Sequence, residues 1–289
     1  MNWHSYHIFI HDLTYHDHFL IEYLQPFIRD REENIQAYFF IRYWQGGPHL
    51  RFRFKAKDEK EIQVGIKELL EKFQLIYKPS FHLTREEYYK NHKFDGEELE
   101  ESDLYWMEDL TIAKIDYEAE YDRYGGKEVM EDSEAIFQIT SDLAFERLRN
   151  HKSNPSVTRK LIDACDFFFD MRGFLTEEKD TYILENYERF WSSFQEEGQV
   201  NEQQIRKISA LFNQNRQLIH QSLNKSGKTH IEEIEEIFKG IKEKGKEEVI
   251  PYIIFSHIHM FNNRIGLPSY LETSLASIMK ETNRGVNNQ

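Results

Sequence analysis

Apolar positions in residues 1–125 recur with two different periods. Runs rich in β-branched and aromatic residues at Tyr6–Ile10, Ala37–Trp44, His49–Lys55 and Thr111–Tyr117 predict strands. Between them, two stretches keep a helical period. In His16–Gln25, Phe19, Leu20, Tyr23 and Leu24 share a face, and Pro26 is expected to end the helix. In Lys57–Tyr77, Ile62, Ile66, Leu69, Leu70 and Phe73 form the apolar stripe. Gly46-Gly47-Pro48 stands between two strand-like runs and predicts a hairpin turn. After Gly126 the pattern becomes helical, and about six or seven helices are expected from Ser133 onward. Asn154-Pro155 offers a cap and a first-turn proline, with Gly173 closing that helix, and Thr229-x-x-Glu232 forms a capping box for another. The polar tail Arg284–Gln289 is expected to fray. Strands followed by helices predict an α+β fold, with an antiparallel-rich N-terminal sheet and flanking helices before a mainly helical half. The expectation is a single domain over residues 1–289, with a mixed part (1–126) and a helical part (127–289).

Composition narrows the function classes. The 289 residues contain 37 Lys+Arg and 51 Asp+Glu, a formal net charge of −14. That balance argues against nucleic acid as a direct partner, since such proteins advertise a basic footprint. No apolar run approaches the roughly 20 residues of a membrane span. The opening residues MNWHSYHIFIHD carry no basic segment or cleavage site, so a cytoplasmic protein is expected. Cys165 is the single cysteine, which excludes a disulfide framework and a cysteine-based zinc site.

Three segments hold candidate chemistry. In His49-Leu50-Arg51-Phe52-Arg53-Phe54-Lys55, strand alternation puts Leu50, Phe52 and Phe54 on one face and four potentially cationic groups on the other. That face reads either as an anion-binding surface or as a solvated face paired with acidic residues. Tyr117-Glu118-Ala119-Glu120-Tyr121-Asp122-Arg123-Tyr124-Gly125-Gly126 places Arg123 among carboxylates, where an ion pair is the simpler reading. In Ser256-His257-Ile258-His259-Met260-Phe261-Asn262-Asn263-Arg264-Ile265-Gly266, a helix puts Ser256, His259 and Asn263 on one face. His259 is then either a satisfied core histidine or a sheltered imidazole suited to proton transfer. Five of the thirteen histidines lie within the first eighteen residues, but without metal-ligand spacing, so no metal is expected. Cys165, within a helical apolar run, reads as a buried hydrophobe.

Taken in order, Trp44…His49-Leu50-Arg51-Phe52-Arg53-Phe54, Tyr117-Glu118-x-Glu120-x-x-Arg123-Tyr124-Gly125-Gly126 with Met130 and Glu134-x-x-Phe137, and His259-Met260-x-x-Asn263-Arg264-x-Gly266 resemble one family. This is the C-terminal glutamate-elimination domain of class I lantibiotic dehydratases, also found as a free-standing thiopeptide-type bacteriocin biosynthesis protein. The resemblance extends over essentially the whole chain. It implies elimination of glutamate from glutamylated Ser or Thr of a ribosomally made precursor peptide, leaving dehydroalanine or dehydrobutyrine, with no cofactor. The family's two arginines and one histidine carry over onto Arg53, Arg123 and His259. His49, Arg51, Asn263 and Arg264 are implied as substrate-binding or supporting neighbours. The resemblance further implies a separate subunit that performs the glutamyl-tRNA-dependent glutamylation; self-association as a homodimer is left open. It also implies that the arginine-bearing strand and the His259 helix meet at one pocket. Two alternatives stand beside elimination: a pyridine synthase joining two dehydroalanines by formal [4+2] cycloaddition with leader release, and a non-catalytic subunit presenting the peptide.

Overall fold

The structure is a computed structural model and describes residues 2–90, 104–193, 202–223 and 227–286. The chain separates into two compact units, residues 1–119 and 120–289. The first unit contains strands β1 (His4–Phe9), β2 (Ile35–Tyr43), β3 (His49–Ala56) and β4 (Ile112–Lys114). They form one antiparallel sheet in the order β2-β3-β1-β4. All four expected strands are present, the last reduced to three residues.

The register assigns the faces. Ile8 lies opposite Leu50, Tyr6 opposite Phe52, and Phe40 opposite Phe52 on the other side, and these side chains are buried. The apolar side chains of the unit's helices share this burial: Phe19, Leu24, Phe27, Ile62, Ile66 and Phe73. The unit's helices are α1 (His16–Phe19), α2 (Gln25–Arg29), α3 (Glu59–Gln74) and α4 (Arg85–Lys90), the last without a buried residue, and Leu24 lies in the turn between α1 and α2. Pro26 does not end the first helical stretch. A π-helical turn over Leu20–Leu24 precedes it, and the proline occupies the first turn of α2. The proline lacks only an N–H that a first-turn position leaves unbonded, and the π turn shifts the hydrogen-bond register ahead of it. Helix α3 starts at the N-cap Asp58, whose carboxylate accepts from the N–H groups of Lys60 and Glu61 at 2.9 and 3.2 Å.

The opposite face of the sheet carries Ser5, His7, Phe39, Ile41 and His49, all buried. His7 and His49 stack with ring centroids 4.8 Å apart. Burial, then the neighbouring His49, Arg51 and Arg53 charges, pushes the His7 imidazole down to about 2. Burial likewise pushes His49 down to about 3, although its bond to the Gly47 carbonyl works the other way. The hairpin between β2 and β3 turns at Gly46 and Gly47, with φ of 86° and 108°. A side chain on Gly46 would collide with the Tyr105 ring.

In the second unit the described residues form seven helices: α5 (Met130–His151), α6 (Val157–Arg172), α7 (Glu177–Ser192), α8 (Glu202–Leu223), α9 (Gly227–Glu243), α10 (Ile250–Ile265) and α11 (Glu272–Val286). The α+β class is therefore as expected. Three boundaries differ. Ser156, rather than Asn154, caps α6 by accepting from the Arg159 N–H, so Pro155 falls outside the helix. Helix α9 begins at Gly227, which leaves Thr229 inside it. Helix α11 runs to Val286, into the tail expected to fray, and residues 287–289 lie outside the described residues.

Helix α10 runs through the core of this unit, with Ile253, Ile254, Ile258, Phe261 and Ile265 wholly buried. It ends at Gly266, whose φ of 72° is the left-handed conformation of a helix stop. Arg264 is 0% exposed; its Nε–H donates to Ser141 Oγ of α5 at 3.1 Å, and its guanidinium lies 5.4 Å from the Phe137 ring. That placement makes it a helix-locking residue of the core. Buried pairs Arg147–Asp166 and His151–Asp163 join α5 to α6. Cys165 is buried, and burial pushes its thiol well up, which suits a small hydrophobe.

Replacing Gly46 by Ala should cost about 1–3 kcal/mol, because an L-residue is strained at that φ and the new methyl meets Tyr105; a lowered urea midpoint measures it. His7 and His49 are neutral when folded but protonate near pH 6.5 when unfolded. The unfolded state thus binds more protons between about pH 6.5 and 3. Their contribution is complete above pH 6.5 and is lost as the pH falls, by about 1.4 kcal/mol per pH unit for each histidine. Urea unfolding at pH 7 and pH 5 should show this loss, and His49→Phe should flatten the dependence.

Candidate active site

Strand β3 alternates as its sequence requires, and His49, Arg51, Arg53 and Lys55 share a face. The cations lie over aromatic rings: the Arg51 guanidinium is 3.4 Å from the Tyr43 centroid, Arg53 is 4.6 Å from Tyr117 and 5.4 Å from Phe39, and Lys55 Nζ is 4.6 Å from Trp3. Ring faces attract cations, so the rings offset the mutual repulsion of the row. His49 is not a fourth cation. Its Nδ1–H donates to the Gly47 carbonyl at 2.8 Å, while Nε2 accepts from Arg51 Nε at 3.3 Å. The neutral imidazole thereby orients Arg51. Two fixed guanidinium forks on one strand can bind a carboxylate.

In the second unit, the turn before α5 carries Arg123, Tyr124, Gly125 and Gly126. Gly125 adopts a φ of 82°, and a methyl there would approach Ile253 and Val249 to 3.0 and 3.1 Å. This turn therefore lies tightly against the start of α10. Tyr124 is buried next to Phe137 and His257, at centroid distances of 4.8 and 5.4 Å. Arg123 pairs with Glu120 at 3.2 Å and remains 41% exposed, lining a cavity of about 490 Å³. Asn186 and Phe190 of α7 and Tyr252, Phe255 and Ser256 of α10 line the same cavity.

The two histidines of α10 have opposite environments. His257 is wholly buried, and its ring nitrogens have no hydrogen-bond partner among the described residues. Burial, then the charges of Arg264 and Arg123, holds it far below the usual histidine range, as a neutral ring. His259, on the Ser256 face, keeps 19% of its side chain exposed. Its Nδ1 bonds Glu272 Oε1 at 3.0 Å, and Trp191 of α7 lies against the ring at 4.6 Å. Glu272 opens α11 and is 1% exposed. Its other oxygen accepts from Asn262 Nδ2 at 2.7 Å and from the Tyr187 hydroxyl. Burial and the Glu272 charge hold the Tyr187 phenol well above its ordinary range, so it stays a donor. An acceptor-only carboxylate at Nδ1 selects the Nδ1–H form and leaves Nε2 as the basic nitrogen. This is an oriented imidazole able to take up and release a proton.

Of the residues singled out from sequence, His49, Arg51 and Arg53 stand together on β3. In the second unit Arg123 lines the cavity, and His259 follows one helical turn beyond Ser256. Asn263 is half-buried and Arg264 is in the core. Glu272, Tyr187, Asn262 and Trp191 carry no mark in the sequence that points to a site. A glutamate in the first turn of a helix is ordinary dipole pairing, and nothing local makes Tyr187 or Trp191 a neighbour of His259. The early histidines have separate uses; His16 Nε2 bonds the Ile10 carbonyl at 2.7 Å and His4 pairs with Glu59 at 3.2 Å. Among the described residues no group of three His, Cys, Asp or Glu side chains is placed to hold a metal.

The profile of the family described as "Lantibiotic biosynthesis dehydratase C-term" matches residues 3–282. The chain is 29% identical over 194 residues to the epidermin biosynthesis protein EpiB of Staphylococcus epidermidis, covering 66% of this chain and 17% of EpiB. The chain thus spans less than a fifth of that relative. Among solved structures it is similar to TbtD, a pyridine synthase from thiomuracin biosynthesis, with a TM-score of 0.72 and 14% identity over 100% of this chain and 99% of TbtD. It is also similar to MibB, a tRNA-dependent lantibiotic dehydratase from Microbispora sp. 107891, with a TM-score of 0.67 and 17% identity over 100% of this chain and 28% of MibB. At these identities the two structures speak to the fold alone. No helix among the described residues is long and apolar enough to cross a membrane. The profile match over nearly the whole chain identifies this protein as a member of the lantibiotic biosynthesis dehydratase C-terminal family, within the class of enzymes that modify ribosomally made peptides.

Proposed function

We propose that the chain eliminates glutamate from glutamylated Ser or Thr residues of a precursor peptide, leaving dehydroalanine or dehydrobutyrine. The observation that carries this reading is the His259–Glu272 pair, a half-sheltered imidazole oriented by a buried carboxylate. In the reaction the Cα–H and Cβ–O bonds break, a Cα=Cβ bond forms, and glutamate leaves as its carboxylate. Nε2 of His259 is assigned the proton transfer, from Cα or to the departing carboxylate. Negative charge develops on the peptide carbonyl and then on the leaving group, and guanidinium groups stabilise such charge. Arg53 and Arg123 are assigned to the developing enolate and the glutamyl carboxylates, with Arg51 and His49 in support. Asn263 and Arg264 are assigned to holding helix α10. A separate chain supplies the glutamylated peptide in this reading.

The similarity to TbtD over almost its full length favours a second reading, a cycloaddition joining two dehydroalanines to form a pyridine ring with release of the leader. The same proton-transfer pair would serve the tautomer shifts of that reaction.

The test is mass spectrometry of a synthetic glutamylated precursor incubated with the purified chain. Loss of glutamic acid is the expected result. Ring closure of a peptide carrying two dehydroalanines, without glutamate loss from the first substrate, would replace elimination by the second reading. Inactivity on both would favour a peptide-presenting subunit. His259→Asn should slow glutamate loss by about 10²–10⁴-fold with an unchanged unfolding midpoint. Glu272→Gln should cost on the order of 10²–10⁴-fold, by loosening the imidazole tautomer. Arg123→Ala should leave a folded protein that accumulates glutamylated peptide, whereas loss of folding would assign Arg123 a structural role.

A further inference from the structure

Three large side chains that folding leaves exposed converge on the cavity between α7 and α10. Tyr182 is 50%, Phe190 45% and Tyr252 60% exposed, and all three line it, with Ile183, Pro251 and Phe255 completing an apolar wall. Converging exposed aromatics of this kind mark a binding surface. The volume of about 490 Å³ lies within the range of ligand pockets and exceeds what one aliphatic side chain fills.

His259 does not itself line the cavity, but the same two helices, α7 and α10, carry the cavity wall and the His259 site. On α10, Tyr252, Phe255, Ser256 and His259 form one stripe at helical spacing, so the last lining residue, Ser256, precedes His259 by about one helical turn. On α7, Phe190 lies against Phe255 at 5.8 Å and against Trp191 at 5.1 Å, and Trp191 lies on His259 at 4.6 Å. An extended peptide advances about 3.3–3.6 Å per residue. A chain whose reacting residue is at His259 therefore presents a side chain one or two positions away to this cavity.

We infer that the cavity is a specificity subsite for an aromatic side chain of the peptide substrate, one or two residues from the Ser or Thr that reacts. The inference rests on the proposed peptide chemistry at His259, but its test does not require turnover. Aromatic walls favour an aromatic guest through offset and edge-to-face contacts beyond simple burial.

The experiment measures fluorescence anisotropy of dye-labelled, unmodified heptapeptides with a central Ser flanked by Phe, Leu, Gly or Asp, binding to the full chain. Phe should bind about tenfold more tightly than Gly, with Leu between them; Asp binding as tightly as Phe would overturn the inference by making the cavity an acid-binding site of Arg123 and Arg189. Tyr252→Asp, at a largely exposed position, should erase the Phe preference while the unfolding midpoint stays in place, and Phe190→Ala should reduce it. Equal affinity for the four peptides, no measurable binding of any, or a Phe preference that survives both variants would overturn the inference. Glutamate loss from the matching glutamylated Phe peptide is scored in parallel. Elimination without a Phe preference sinks the subsite alone; a Phe preference without elimination keeps the subsite and sinks the elimination reading.

Discussion

The second unit is organised around a carboxylate that water does not reach. Glu272 lies at the start of α11 and receives Asn262 and His259 from α10 and Tyr187 from α7. Leaving a buried charge without its partner costs on the order of 3–5 kcal/mol. A shift in any of the three helices that withdrew a donor would carry part of that cost. The donors therefore restrict the placement of the helices, and in doing so hold the His259 ring in one orientation. The same bonds tie α7, α10 and α11 together. The apolar side of α10, with five wholly buried side chains, holds the helix from behind.

The first unit solves a different electrostatic problem. A row of cations on one strand is unfavourable unless something offsets the repulsion. Ring faces from β2 and from Trp3 and Tyr117 take that part, while burial strips the charge from His49 and His7. The guanidinium groups of Arg51 and Arg53 keep their charge, and rings can hold cations without cancelling them.

Membership of the lantibiotic dehydratase C-terminal family gives these arrangements a chemical setting. Peptide-modifying chemistry needs a proton-transfer group, cationic groups for developing oxyanions and a surface for the peptide. In the proposed reading, His259 with Glu272 is assigned the first of these, the arginines the second and the aromatic cavity the third. The resemblance implies His259 and the arginines, while Glu272 is found by its bond to His259. The cavity rests on geometry and on the exposure of its aromatic walls.

Periodicity and turn chemistry act over a few residues, which is why much of the fold is legible in the amino-acid sequence. The four strands, the Gly46-Gly47 hairpin, the amphipathic stripe of α3 and the stop at Gly266 follow from local patterns. Strand parity likewise groups Arg51 with Arg53, and helical spacing groups Ser256 with His259, whereas Arg123 and the choice of Arg53, Arg123 and His259 as a set come from the family resemblance. Boundaries set by competition are harder. Pro26 looks like a stop until a π turn shifts the bonding register ahead of it, and Asn154 looks like a cap until Ser156 takes that place. The partners of the site are not legible at all. Glu272 is 13 residues from His259, and Tyr187 is 85 residues from Glu272. Sequence determined which side chains could carry charge or a proton and on which face of its own element each would stand. Only tertiary structure decided which became neutral, buried or oriented, because desolvation and hydrogen-bond geometry depend on what packs around a group rather than on its neighbours in the chain.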